Sequence, residues 1–222
     1  MLAAEEISLT VNDGQVAALW LAPTAATSCY VFAHGAGAGM THSFMATFAD
    51  GLAQRRIATL RYQFPYMQKQ NGRPDPPAVC HAAVRAAIEA AAARAPGLKL
   101  IAGGKSFGGR MTSQAQASQP LPGVRGLVFL GFPLHAAGKL SSSRAAHLSA
   151  IDIPMLFLQG DKDKLAEPKL LQSIIAKLGC KSTPVWVPDA DHSFHVPKRS
   201  GRSDADVVVS LLESFAGWAA EI

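Results

Sequence analysis

Ser106 stands at the centre of Gly104-x-Ser106-x-Gly108, directly after an apolar run at 98–102 and directly before a helical segment. A serine on a strained strand-to-helix turn presents its hydroxyl as a nucleophile, and glycines two positions to either side let the neighbouring strand and helix come close. Such a hydroxyl needs a base, and the base needs an orienting carboxylate. Both residue types follow at the ends of later apolar runs: Gly160-Asp-Lys-Asp163 after 154–159, and Pro188-Asp-Ala-Asp-His192 after 183–187. Asp163 is preferred over Asp161 as the acid, because two residues beyond the turn at Gly160 bring it within reach of an imidazole. Asp161 is expected to brace that loop. Asp189 and Asp191 are too close in sequence to His192 to reach its Nδ1. A fourth part is the glycine loop His34-Gly-Ala-Gly-Ala-Gly39, whose backbone N–H groups can face a developing oxyanion. Ala36 and Phe107 are the expected donors.

These residues require elements that carry them to one place. Eight strands are predicted, at 5–11, 15–21, 28–33, 57–62, 98–102, 126–131, 154–159 and 183–187. Asn12-Asp13-Gly14 joins the first two as an antiparallel hairpin. The later runs, GLVFLG and PMLFLQ, are continuously apolar, as parallel strands covered on both faces must be. Helices are expected at 43–55, 76–95, from just after Ser106, at 167–178, and from 203 to the carboxyl terminus. The alanine-rich second helix suits close packing on a sheet. This alternation makes an α/β architecture, a mostly parallel eight-stranded sheet with helices on both faces, and with no repeat or linker the whole of 1–222 reads as one domain. Parallel strands direct their carboxyl ends to one edge, where distant residues converge.

The chain has 222 residues, 49% hydrophobic and 17% charged, with a mean hydropathy of +0.14, which excludes native disorder. No apolar run nears the roughly 18 residues of a membrane span, so no membrane association is expected. The formal charge is +5, yet Glu5, Glu6, Asp13 and Asp50 all precede the first basic residue, Arg55. A secretory leader needs early positive charge, so the amino terminus is expected to be a folded strand of a cytoplasmic protein. Three widely spaced cysteines, Cys29, Cys80 and Cys180, read as reduced thiols in such a compartment. The Lys198, Arg199, Arg202 cluster lacks interleaved aromatics and reads as a solvated loop, not a nucleic-acid footprint.

The strings HGAGAG, RYQFPYM, GGKSFGGR, LQGDKD and DADHSFHVPKRSG resemble the α/β-hydrolase superfamily, and more narrowly its small dienelactone-hydrolase-like members. That group also includes the hydrolase-like domain of a subunit of the human NSL chromatin complex. The resemblance implies Ser106 as nucleophile, Asp163 as acid and His192 as base. It departs from true dienelactone hydrolases, whose nucleophile is cysteine, so lactone specificity does not carry over.

Rival chemistries fail on spacing. A P-loop ending at Gly104-Lys-Ser106 needs glycine where Lys99 stands, leaving Lys105 as an exposed or salt-bridged residue of the turn. A dinucleotide fingerprint starting at Gly35 needs glycine where Met40 stands. Asp191, His192 and His195 lack the helical register of paired metal ligands, so no metal and no cofactor is expected. The sequence therefore points to a serine hydrolase acting on a small carboxylic ester, with thioesters and amides open to the same chemistry. A non-catalytic interaction module on the same fold is the alternative. The segment 132–153 is too short for a lid domain, and the loop from Gln63 to Pro77 offers Phe64, Tyr66 and Met67 as the expected wall of a small acyl pocket. Oligomeric state is not encoded in any pattern found.

Overall fold

The structure, a computed structural model, describes residues 2–222. Eight strands form one sheet in the order β1-β2-β4-β3-β5-β6-β7-β8: Glu5–Val11, Gly14–Leu21, Ser28–Ala33, Ile57–Tyr62, Lys99–Lys105, Val124–Leu130, Met155–Gly160 and Ser182–Val187 are β1 to β8. The hairpin β1-β2 is antiparallel and turns at Asn12, whose φ of 50° is in the left-handed region that asparagine tolerates. β2 also pairs antiparallel with β4, while every pairing from β4 through to β8 is parallel. All residues of β3, β4 and β7 are buried, which explains their mostly apolar sequence, with Ser28, Thr59, Arg61 and Gln159 as the buried polar exceptions.

Alternation within the strands divides the core into two layers. Cys29, Val31 and Ala33 of β3 face the layer holding α3 (Pro77–Arg94), α4 (Phe107–Ser118) and α5 (Pro168–Leu178). Tyr30 and Phe32 face the opposite layer, where Phe48 of α1 (Ser43–Gln54) and Phe215 of α6 (Asp204–Glu221) close over them. On α3 the buried stripe is Cys80, Ala83, Val84, Ala87, Ile88 and Ala91, mostly small side chains that let the helix lie close on the strands. Each expected helix is present with its ends within about two residues. One short helix was not expected: Pro65–Gln68, α2, begins where Pro65 supplies a fixed φ at the first helical position.

From β3 the chain moves to β4 on one side, then crosses to β5 on the other. This reversal opens a crevice at the carboxyl ends of β3 and β5. The glycine loop leaves β3 at this point and Ser106 follows β5. The segment between β6 and β7 holds only a 3-10 helix, Ser143–Ala150, so no lid domain covers that edge.

Candidate active site

Ser106 is the N-cap of α4 with φ 50° and ψ −114°, a conformation rarely adopted by a residue bearing a Cβ. Its N–H donates to the Leu130 carbonyl at 3.0 Å, and its own carbonyl accepts from Arg110 N–H at 3.2 Å, which fixes the turn from both sides. The flanking glycines are required by contact distances. A Cβ on Gly104 would lie 2.4 Å from the Ala33 carbonyl oxygen, and one on Gly108 would lie 2.6 Å from both the Ala33 and His34 carbonyl oxygens. Backbone cannot yield to such overlaps, so β3, β5 and α4 meet only because these positions lack side chains.

His192 arrives on the loop after β8. Its Nε2 is 2.8 Å from Ser106 Oγ and its Nδ1 is 2.7 Å from Asp163 Oδ2. The Asp163 side chain is fully buried, and its oxygens are satisfied by three donors. Oδ2 accepts from Gln159 Nε2 at 2.6 Å as well as from His192, and Oδ1 accepts from Leu165 N–H at 2.8 Å. Because the carboxylate has no proton to give, Nδ1 is the protonated nitrogen and Nε2 is left to accept from the serine hydroxyl. Asp161 does not take part: its Oδ2 lies 3.5 Å from Lys162 Nζ, and its Oδ1 is buried without a partner. The acid and histidine loops are tied by backbone, with Lys162 N–H donating to Ala190 O at 2.9 Å.

Gln159 was missed in the sequence. It is nearly fully buried, and its Oε1 accepts from Phe132 N–H at 2.8 Å while its Nε2 serves Asp163. A lone amide at the end of the apolar run Met-Leu-Phe-Leu was the available signal, since buried polar groups demand partners.

Gly35, Ala36, Gly37 and Ala38 line a cleft of about 350 Å³ beside Ser106 and His192, with Phe44 and Met45 of α1 opposite. Phe107 is the first residue of α4, so its N–H has no intrahelical acceptor and lies at the positive end of the helix. His34 supports the glycine loop from behind. Its Nε2 accepts from Phe64 N–H at 3.0 Å and its Nδ1 donates to Gly35 O at 2.7 Å. Burial pushes this imidazole down to about 4, against the smaller opposing effect of the Gly35 carbonyl, so it is neutral near pH 7.

The expected acyl wall requires correction. Phe64 and Tyr66 are fully buried, packed edge-on against Phe107, and the Tyr66 hydroxyl donates to Ala36 O at 2.9 Å. Met67 packs against the same core. All three are absent from the cleft lining, because α2 turns Tyr66 inward. Tyr66 and Phe64 bond to the glycine loop through Ala36 and His34, and Met67 only packs on the core. Lys105 also differs from expectation. It makes no salt bridge, and its ammonium is enclosed against His192.

Of the Asp191, His192 and His195 cluster, only His192 points to Ser106. His195 is exposed and pairs with Asp204 at 2.9 Å, which raises the imidazole above its ordinary range. Asp191 Oδ1 accepts from Ser193 and His195 N–H groups. A second serine–histidine contact, Ser113 Oγ to His147 Nε2 at 2.7 Å, has no carboxylate behind it. Burial, with Arg110 and His81 nearby, pushes His147 down to about 4.

A strained serine, a glycine loop and a buried Asp–His pair at the switch point of a mostly parallel sheet define the α/β-hydrolase architecture. The chain belongs to the alpha/beta hydrolase domain family, whose profile matches residues 26–220. Among solved structures, it is similar to a dienelactone hydrolase from Anabaena variabilis, with a TM-score of 0.78 and 19% identity over 99% of this chain and 98% of that one. An α/β serine hydrolase without lid from Xanthomonas campestris gives 0.76 and 22% over 97% and 95%. The esterase domain of a Rhodothermus marinus protein gives 0.74 and 16% over 98% of each. At these identities the likeness is one of fold. No helix among the described residues is long and apolar enough to cross a membrane.

Proposed function

We propose that this protein is a serine hydrolase that cleaves small carboxylic esters through an acyl-enzyme on Ser106. The observation that supports it most is the unbroken hydrogen-bonded line from Ser106 Oγ through the two nitrogens of His192 to Asp163 Oδ2. His192 Nε2 takes the hydroxyl proton as Oγ attacks the carbonyl carbon. Asp163 holds the ring in the tautomer that leaves Nε2 free and stabilises the imidazolium that forms. The N–H groups of Ala36 and Phe107 receive the tetrahedral oxyanion, each worth about 3 to 4 kcal/mol of transition-state stabilisation. His192 then gives its proton to the departing alkoxide, and a water activated by the same imidazole releases the acid.

The similar structures include a dienelactone hydrolase and an esterase domain, which is consistent with ester chemistry, and a serine hydrolase without lid. A cleft of about 350 Å³ without a covering domain suits a short acyl chain. Steady-state hydrolysis of p-nitrophenyl butyrate tests the reading. Ser106→Ala is expected to lower kcat by about 10⁴-fold or more. Retention of more than a tenth of wild-type turnover would remove Ser106 from the mechanism.

A further inference from the structure

Ser106 and His192 sit on separate loops, and their geometry depends on what holds those loops together. Among the described residues, only two hydrogen bonds join the turn at 105–108 to the loop at 188–197. One is the Ser106 to His192 contact itself. The other runs from Lys105 Nζ to the backbone carbonyl of His192. The residue before the nucleophile thus grips the main chain of the residue that is to be its base.

The head of Lys105 sits in a prepared niche. Its Nζ lies 5.0 Å from the Phe194 ring centroid and 6.0 Å from that of Phe44, and these two rings stack at 6.0 Å. Aromatic faces attract a cation and not a neutral amine. Space for the head comes from Gly131, where a Cβ would lie 3.1 Å from Nζ and 3.5 Å from His192 Nδ1. Asp163 from the loop after β7 and Asp191 from the loop after β8 face the ammonium and favour its charge. The His192 ring is the remaining titratable group beside it.

We propose that Lys105 is a positioning residue of this site, whose ammonium latches the histidine loop onto the nucleophile turn. The proposal rests on the reading of Ser106 and His192 as nucleophile and base. Lys105 also borders the cleft beside Ser106, but in this role its ammonium acts through the His192 main chain and not on the reacting atoms. Its charge strengthens the bond to the His192 carbonyl and holds the head between Phe194 and Phe44.

Enclosure pushes this ammonium down to about 8, with Asp163 and Asp191 opposing that shift. The latch is therefore complete below about pH 8 and weakens as pH rises through that value. The neutral amine keeps an N–H donor but loses the attraction of the rings and of both carboxylates.

The test is the pH profile of kcat and KM for p-nitrophenyl butyrate in the wild type, Lys105→Met and Lys105→Arg. The wild type should show an alkaline decline with a midpoint near 8. Lys105→Met should lower kcat about tenfold, leave KM within twofold, and lose that decline. Lys105→Arg stays charged throughout, so it should also lose the decline while keeping more of kcat than the methionine variant. An alkaline decline that persists in both variants would overturn the proposal, as would a Lys105→Met effect confined to KM. Should Lys105→Met fail to fold, as read by its thermal melt, the arginine profile decides the matter alone. Labelling of the wild type by a fluorophosphonate separates failure of this proposal from failure of the underlying one: an adduct at Ser106 without the alkaline decline sinks only the latch.

Discussion

Replacing Asp163 by asparagine sets one amide against three donors, and the contacts allow the consequence to be followed atom by atom. The carboxylate accepts from His192 Nδ1 and Gln159 Nε2 at Oδ2, and from Leu165 N–H at Oδ1. An asparagine offers only one oxygen. With its oxygen toward Leu165, its NH2 group confronts His192 and Gln159. The imidazole must then accept at Nδ1, which puts its proton on Nε2 and takes the base away from Ser106. With the oxygen toward His192, the NH2 group meets Leu165 N–H, leaving a buried donor unsatisfied at a cost of about 1 to 3 kcal/mol. Gln159 cannot relieve the first arrangement by turning over, because its Oε1 is held by Phe132 N–H. Each arrangement thus strands one buried donor, Gln159 Nε2 in the first and Leu165 N–H in the second. In the first the wrong tautomer costs about 10⁴-fold in kcat, or roughly 5.5 kcal/mol of barrier, and in the second the imidazolium loses the carboxylate charge that stabilises it. The assay is kcat for p-nitrophenyl butyrate, with urea denaturation confirming that the variant is folded. Asp161→Asn, which touches no member of the line, should stay within about threefold of wild type. A larger loss at Asp161 than at Asp163, or more than a tenth of wild-type kcat in Asp163→Asn, would refute the reasoning.

Three further outcomes are expected. Gly104→Ala forces a Cβ to within 2.4 Å of the Ala33 carbonyl oxygen, so the variant should be destabilised by about 1 to 3 kcal/mol or more in urea denaturation. His34 is held near 4 in the folded protein against about 6.5 unfolded, so the unfolded chain binds more protons between those values. Stability should accordingly be complete above pH 6.5 and fall by up to about 3 kcal/mol on acidification toward pH 4, and His34→Gln should flatten part of that slope, His147 supplying the rest. Activity should decline from butyryl to palmitoyl esters without a jump at the micelle threshold, and Phe44→Ala, which widens the cleft wall, should shift the preference toward longer chains by about tenfold in the ratio of kcat/KM.

Much of this architecture was legible because the relevant physics is local. Continuous apolar runs marked the central strands, and the Gly104, Ser106, Gly108 spacing marked a turn whose glycines are enforced by the Ala33 and His34 carbonyls. The preference for Asp163 over Asp161 comes from counting residues past Gly160, and Asp163 is the residue hydrogen-bonded to His192. What could not be read depends on where side chains turn once a strand has ended. Phe64 and Tyr66 follow β4 on a segment that looked like an open loop, but Pro65 starts a helical turn that buries both. Lys105 reads from sequence as an exposed or salt-bridged residue of the turn, whereas its position is set by His192, Phe44 and Phe194, which meet it only in three dimensions. Gln159 shows the same dependence, since its two partners come from β6's exit and the acid loop.

The proposed chemistry requires an activated Ser106, and intact-mass analysis after treatment with a fluorophosphonate tests this without knowledge of the natural ester. The wild type is expected to gain a single adduct, mapped by peptide sequencing to Ser106, at a rate that falls steeply in Asp163→Asn and to nothing in Ser106→Ala. An unmodified wild-type mass, or an adduct that persists in Ser106→Ala, would contradict the serine hydrolase reading.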